Sequence, residues 1–338
     1  MLFHSKTHYY CRILQVALPP KRLWNGAKAA VSYLFSKKGK RIAWKHLPVF
    51  ISLEPSNVCN LHCPECPVGV RTEKVRPINI DLGLSKKLID SLSETLTHVI
   101  FYFQGEPFMN AQFLELVKYA RSKNILTSTS TNGQLINNER AKQIVESGLD
   151  RLIISIDGTT QETYEKYRVG GSLEKALQTV KDISAWKKAL RKPYPFIEIQ
   201  FIVMKHNEHQ INEIKSLAKT LNADKLTLKT AQIYDFENGS DLIPTDNRYS
   251  RYQLSDSGKH QIKSSLKNSC KRLWNGAVVN SKGEILPCCF DKDGKYAFGN
   301  LNNDDFKGVW KGKSAENFRK NILSNRSQVD ICRNCTEK

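Results

Sequence analysis

The sequence predicts an α/β protein of the barrel kind, a parallel sheet with helical crossovers, followed by a small cysteine-rich module. Two observations predict it. From residue 48 onward, short runs of β-branched and aromatic residues alternate with helical stretches. The nine cysteines fall mainly into two clusters, one just after the first of those runs and one after the alternation has ended. At 338 residues the chain is long enough for one large domain with an appendage and buries a sizeable core without disulfide staples.

Residues 1–47 form a basic arm. They carry ten Lys or Arg and no acid, so over half of the net charge of +19 sits there; the first acidic residue is Glu54. Leu23, Trp24, Ala27, Ala30, Val31, Leu34 and Phe35 recur at helical spacing, with Lys21, Arg22, Lys28, Lys37 and Lys38 around them. The first reading of this amphipathic helix packs its apolar stripe on the main domain and leaves the lysines in solvent. The second lays it on an anionic membrane surface.

Residues 48–235 hold the six predicted strands, "PVFISLEPS", "HVIFYFQG", "ILTSTSTNG", "DRLIISIDG", "FIEIQFIVM" and "DKLTLKTAQ". Helices are expected near 85–96, 110–123, 137–147, 160–190 and 207–220, and this alternation argues for parallel strands. Ligands of such folds gather at the carboxyl ends of the strands, where "EPSN", "QGEP", "TNG" and "IDG" lie. Residues 236–269 read as an irregular polar connector. Residues 270–338 contain a hairpin, "WNGAVVNSKGEILPCC", turning at "NSKG", and a helix near 315–324.

Cys59, Cys63 and Cys66 follow the first strand as C-x3-C-x2-C, with His62 the only nearby fourth donor. A structural zinc site wants four ligands; three leave one metal position open, which is a catalytic arrangement. The second set is Cys270, Cys288, Cys332 and Cys335, with Cys289 beside Cys288 as an alternative ligand. Four thiols can hold either zinc or an iron-sulfur cluster, and spacing alone does not choose. Cys11 stands apart as a plain thiol. Clustered cysteines in a chain of this length indicate metal ligation in a reducing compartment. No apolar stretch reaches the ~18 residues of a membrane span, and there is no secretory signal pattern. The expected location is therefore cytoplasmic, at the inner membrane face if the arm binds lipid; an organellar transit peptide is the alternative for an acid-free N-terminus.

C-x3-C-x2-C after strand one, "QGEP" after strand two and "SIDG" after strand four resemble the radical S-adenosylmethionine superfamily over residues 48–232. The resemblance implies a partial (β/α)6 TIM-type barrel. It also implies that Cys59, Cys63 and Cys66 bind three irons of a 4Fe-4S cluster whose fourth iron takes the amino and carboxyl groups of S-adenosylmethionine. Gln104, Gly105, Glu106 and Pro107 match the segment that engages the methionyl ammonium, Ser155 a ribose-contacting position, and Arg168 an arginine that pairs with the methionyl carboxylate. Glu65 departs from the family, which often has an aromatic residue before the third cysteine, near the adenine. The second cysteine set resembles the SPASM or twitch extension; a full SPASM domain has seven cysteines and two auxiliary clusters, whereas the four placed here suffice for one.

The resemblance implies reductive cleavage of S-adenosylmethionine to a 5′-deoxyadenosyl radical, hydrogen abstraction from a substrate C–H bond, and an electron donor such as flavodoxin or ferredoxin. An auxiliary cluster as acceptor of a second electron makes oxidation the leading expectation, with Asp291 as candidate base. Peptide modification is the alternative, weakened by the short basic arm. A noncatalytic nucleic-acid-binding metal protein would explain the charge, but no zinc-finger histidine pair, basic-aromatic interleaving or nucleic-acid module is present. The basic balance favours an anionic substrate, either a small molecule or one attached to a carrier or membrane.

Overall fold

The computed structural model describes residues 5–39, 46–71 and 75–336. Residues 40–45, with Lys40, Arg41 and Lys45 of the basic arm, lie outside the described residues. The strands are β1 (Phe50–Leu53), β2 (His98–Ile100), β3 (Leu126–Thr131), β4 (Arg151–Ser155), β5 (Phe196–Val203), β6 (Lys225–Thr230), β7 (Tyr252–Leu254), β8 (His260–Ile262), β9 (Gly276–Val279), β10 (Glu284–Leu286) and β11 (Gly299–Asn300). The α-helices are α1 (Ser5–Ala17), α2 (Pro20–Gly39), α3 (Leu82–Leu92), α4 (Phe113–Ser122), α5 (Asn138–Ser147), α6 (Gln161–Tyr167), α7 (Leu173–Ala189), α8 (Ile211–Thr220), α9 (Lys271–Asn275), α10 (Phe306–Trp310) and α11 (Lys313–Asn325). The expected α/β class holds, and the six runs predicted as strands are β1 to β6.

The chain forms two compact units. One comprises Met1–Tyr9, Val58–Val75 and Thr129–Ser264; the other comprises Tyr10–Asn57, Arg76–Ser128 and Ser265–Lys338. In the first unit, β4, β5 and β6 pair in parallel, Ile154 opposite Ile199 and Phe201 opposite Leu228. β4 is buried along nearly its whole length, as a parallel strand covered on both faces should be. Helix starts are set by side-chain caps: Asn137 accepts from the Arg140 N–H, Thr160 from Thr163 and Ser172 from Lys175. The single helix expected over 160–190 is two, because "RVGG" interrupts it and Gly170 takes φ +80°, a conformation only glycine adopts without strain. The connector is also more regular than expected, since β7 and β8 pair antiparallel within it.

In the second unit, β1 pairs in parallel with β2 on one side and with β9 on the other, and β2 pairs with β3. The predicted hairpin is β9 and β10, turning at Asn280–Gly283, where Gly283 has φ +83° and Asn280 Oδ1 accepts from the Lys282 and Glu284 N–H groups. The first strand of the cysteine-rich module thus extends the sheet beside β1. Close approach depends on Gly276: a Cβ there would lie 2.6 Å from the Phe50 ring.

Helix α2 departs most from expectation. The predicted stripe does not pack: Leu23, Trp24, Val31, Leu34 and Phe35 are all exposed, and the buried positions are Arg22, Asn25, Ala29, Ser32 and Ser36. Polar contacts fix this rotation. Arg22, 5% exposed, donates to the carbonyls of Val16 (3.0 Å), Ser93 (2.9 Å), Lys123 (3.1 Å) and Asn124 (2.6 Å). Those of Ser93, Lys123 and Asn124 lie at and just beyond the ends of α3 and α4, where the last carbonyls have no partner within the helix and a cation is favoured. Asn25 exchanges two 2.9 Å hydrogen bonds with the Leu47 backbone. Satisfying these groups outweighs burial of the apolar stripe, because any other rotation breaks these bonds and leaves the acceptor carbonyls and the Leu47 backbone without their partners.

Candidate functional site

The loop after β1 carries the first thiol set, in the first unit. It closes on itself through the Cys66 N–H to the Cys63 carbonyl (3.1 Å) and the Val70 N–H to the Cys66 carbonyl (3.0 Å). Gly69 is wrapped so tightly that a Cβ would sit 2.4 Å from the Cys63 carbonyl oxygen. Cys63 is buried against Leu61, Tyr167, Met204 and Ile233, with Cys59 and Cys66 packed on the same cluster. His62 is exposed, its N–H bonded to the Val169 carbonyl (3.0 Å), so the structure does not group it with the thiols.

Asn132 and Arg168 point N–H donors at this set. Asn132 Nδ2 lies 3.6 Å from Cys59 Sγ and Arg168 3.8 Å from Cys63 Sγ, geometry that favours thiolates over thiols. Burial pushes the Cys63 thiol up and the neighbouring Arg168 opposes it. Arg168 is held by Asp157, 2.6 Å from its Nε; Asp157 is fully buried and also accepts from the Ile202 N–H at 2.6 Å. Ser155 is buried at the carboxyl end of β4. Glu65 accepts from the Tyr234 N–H (3.0 Å), which binds the residue before the third cysteine to the chain beyond β6.

In the second unit the "QGEP" loop is organised by Glu54, which the sequence reading did not single out. Its carboxylate, 3% exposed, accepts from the N–H groups of Gln104 (3.1 Å), Gly105 (3.5 Å) and Ser281 (3.0 Å). Burial pushes this carboxyl up and the three backbone donors hold it back. Glu106 is buried and accepts from the Phe108 N–H (3.3 Å), capping the short 3-10 turn that begins at Pro107. Gln104 Nε2 donates to the Lys292 carbonyl (2.7 Å), while its Oε1 is buried with no partner among the described residues. An orphaned buried acceptor beside a buried carboxylate suits a cationic ligand group such as an ammonium.

The second thiol set also lies in this unit. Cys270 and Cys332 pack with Leu273, Trp274 and Phe318. Burial pushes the Cys288 thiol well above its ordinary value, with Cys289, Cys270 and Cys332 adding to the effect, and pushes Cys332 up to about 11 against the Arg326 hydrogen bond. Cys288 Sγ accepts from the Phe290 N–H at 3.4 Å. Cys289 packs elsewhere, on Phe103, Val278 and Leu286. Arg326, 1% exposed, donates to Cys335 Sγ at 3.2 Å, to the Ser269 carbonyl at 2.8 Å and to Cys332. Asp291 is fully buried, its oxygens accepting from the Lys295 (2.9 Å) and Tyr296 (3.0 Å) N–H groups. It closes its own loop, and a base role requires that loop to open.

Among the described residues no three His, Cys, Asp or Glu side chains converge as ligands of a single metal ion do. A polynuclear cluster does not require that convergence, since each thiolate binds a different iron. Both sets fit such a group in donor chemistry: cysteines only, buried at Cys63, Cys332 and Cys335 and half-buried at the others, with N–H donors on sulfur. Glu54, Asp157 and Arg326 were missed because their partners are distant in the sequence or not marked by it. Glu54, as the first acid after a long acid-free run and five residues before Cys59, and Asp157, as the acid of "SIDG", carried signals that could have found them; Arg326 carried none.

A family model for the radical SAM superfamily matches residues 53–218, and one for an iron-sulfur cluster-binding domain, SPASM, matches residues 270–336. The AdoMet-dependent heme synthase of Oleidesulfovibrio alaskensis is 30% identical over 174 residues, 51% of this chain and 43% of that protein. The AdoMet-dependent heme synthase of Methanosarcina barkeri is 25% identical over 314 residues, 82% and 86% of the two chains. The PqqA peptide cyclase of Bradyrhizobium diazoefficiens is 24% identical over 261 residues, 72% and 67%. Of solved structures, BtrN in complex with AdoMet and 2-DOIA aligns with TM-score 0.52 at 18% identity, over 86% of this chain and 94% of that one. Streptococcus suis SuiB bound to S-adenosylmethionine aligns with TM-score 0.63 at 14% identity, over 91% and 76%. At these identities the structural likeness establishes the fold, an α/β partial TIM barrel.

Proposed function

Because the chain belongs to the radical S-adenosylmethionine superfamily and ends in an iron-sulfur cluster-binding SPASM domain, we propose that it is an enzyme that oxidises a substrate at an unactivated C–H bond. The family and its extension bring 4Fe-4S clusters and S-adenosylmethionine as cofactors. When bound, they supply reductive cleavage of S-adenosylmethionine to a 5′-deoxyadenosyl radical that abstracts hydrogen, with the auxiliary cluster accepting the second electron.

The chain's own part is binding and orientation. Cys59, Cys63 and Cys66 hold three irons, with Asn132 and Arg168 donating to the sulfurs. Glu106 and the free Gln104 Oε1 take the methionyl ammonium, in a loop that Glu54 fastens. Arg168, placed by Asp157 beside Cys63, takes the methionyl carboxylate, and Ser155 the ribose. Cys270, Cys288, Cys332 and Cys335 hold the auxiliary cluster, with Arg326 as its cation. The observation that carries this reading is the presence of two all-cysteine sets, each with at least one buried thiol and with side-chain N–H donors on sulfur. A flavodoxin or ferredoxin supplies the electron in a reducing cytoplasm.

A peptide substrate is the second reading. It is favoured by the relative named for cyclising a peptide. An anionic small or carrier-bound molecule fits the basic balance.

Anaerobic reconstitution tests the proposal. The Cys59, Cys63 and Cys66 to Ala triple variant is expected to keep about four irons per chain and lose formation of 5′-deoxyadenosine under dithionite. Loss of all iron, or zinc in the remaining site, refutes the auxiliary-cluster assignment.

A further inference from the structure

We propose that the outward face of α2, continued by the end of α1, is a docking surface for an anionic phospholipid bilayer. The inference is independent of the reaction proposed above, since it uses no residue of either thiol set. It rests first on the inverted packing of α2. Positions 22, 25, 29, 32 and 36 recur at the spacing of one helix face, and that face is turned inward carrying arginine, asparagine, alanine and serine. Leu23, Trp24, Val31, Leu34 and Phe35 occupy the opposite face, with Trp24 64% and Phe35 67% exposed. Tyr10, Leu14 and Leu18 are exposed before them. The helix cannot roll to bury these side chains, because Arg22 and Asn25 are pinned by six hydrogen bonds to backbone groups.

Charge identifies the occupant. Lys37 and Lys38 lie with the apolar face, Lys28 sits 5.2 Å over the Trp24 ring, Lys21 is paired with Glu94, and residues 1–53 contain no acid. An exposed apolar stripe holding Trp, Leu and Phe, with lysines beside it, is the pattern of a helix lying in a lipid interface, its aromatics at headgroup level and its cations on anionic lipid. A second copy of the chain would bring the same acid-free cationic segment against this one, which charge disfavours. Among the described residues no helix is long and apolar enough to cross a membrane, so the attachment is peripheral.

The test is flotation of the full reconstituted chain with vesicles of phosphatidylcholine alone or of phosphatidylcholine mixed with phosphatidylglycerol, at low and high salt. Recovery with the mixed vesicles is expected at low salt, falling by about tenfold or more at high salt or without phosphatidylglycerol. Leu34→Glu with Phe35→Glu is expected to abolish recovery while helix content and elution volume stay those of wild type. If that pair misfolds, Trp24→Ser serves, and is expected to weaken recovery several-fold. Equal recovery with both lipids, undiminished recovery of the variants, or a wild-type dimer that the variants dissociate without any vesicle binding would overturn the proposal, the last assigning the face to a second copy.

Discussion

Replacing Arg326 by glutamine removes the one side-chain cation that the described structure places directly on the second thiol set. The guanidinium is 1% exposed, donates to Cys335 Sγ at 3.2 Å and to Cys332, and is anchored by the Ser269 carbonyl at 2.8 Å. A charge-assisted hydrogen bond is worth about 1.5–3 kcal/mol. Reduction adds a negative charge that the guanidinium stabilises; if about half of that interaction distinguishes the two redox states, the difference is on the order of 1 kcal/mol, or about 40–60 mV for a one-electron couple. Arg326→Gln should therefore lower the auxiliary midpoint potential by about that amount, and Arg326→Lys should restore part of it. The measurement is a redox titration followed by electron paramagnetic resonance in the Cys59, Cys63 and Cys66 to Ala background, where only the second cluster contributes. A Gln variant that keeps its iron with an unmoved potential would refute the reasoning, since a merely structural arginine alters assembly and leaves the potential of assembled clusters alone.

The same background separates the adjacent cysteines: Cys288→Ser should lose the auxiliary iron while Cys289→Ser keeps it, because Cys288 feels Cys270 and Cys332 whereas Cys289 packs on Phe103, Val278 and Leu286; iron analysis decides. Acid stability should report His46. Its ring is 1% exposed, Nε2 lies 2.8 Å from the Trp274 carbonyl, and burial holds its pKa down to about 4 from the model-compound 6.5. Below pH 6.5 the unfolded chain binds a proton that the folded one refuses, so stability is lost as pH falls toward 4, by about 3 kcal/mol in all. Urea unfolding at pH 7 and pH 4.5 checks this against His46→Gln, whose acid sensitivity should be smaller by about 2–3 kcal/mol; equal sensitivity would assign the loss to other groups.

What the sequence determined by itself is what depends on short-range pattern. Strand and helix periodicity specified the α/β class, the "NSKG" turn specified its hairpin, and the spacing of Cys59, Cys63 and Cys66 within one loop limited the chemistry, because eight residues of chain cannot carry those thiols far apart. Tertiary structure decided what depends on partners distant in the chain. Glu54 meets Ser281 across 227 positions, Arg326 meets Ser269 across 57, and the rotation of α2 is set by carbonyls near residues 93 and 124. The α2 pattern gave the helix and both its faces correctly, yet which face turned inward was a competition between burying apolar surface and satisfying a buried guanidinium and amide. Only the fold supplies the acceptors that settle it.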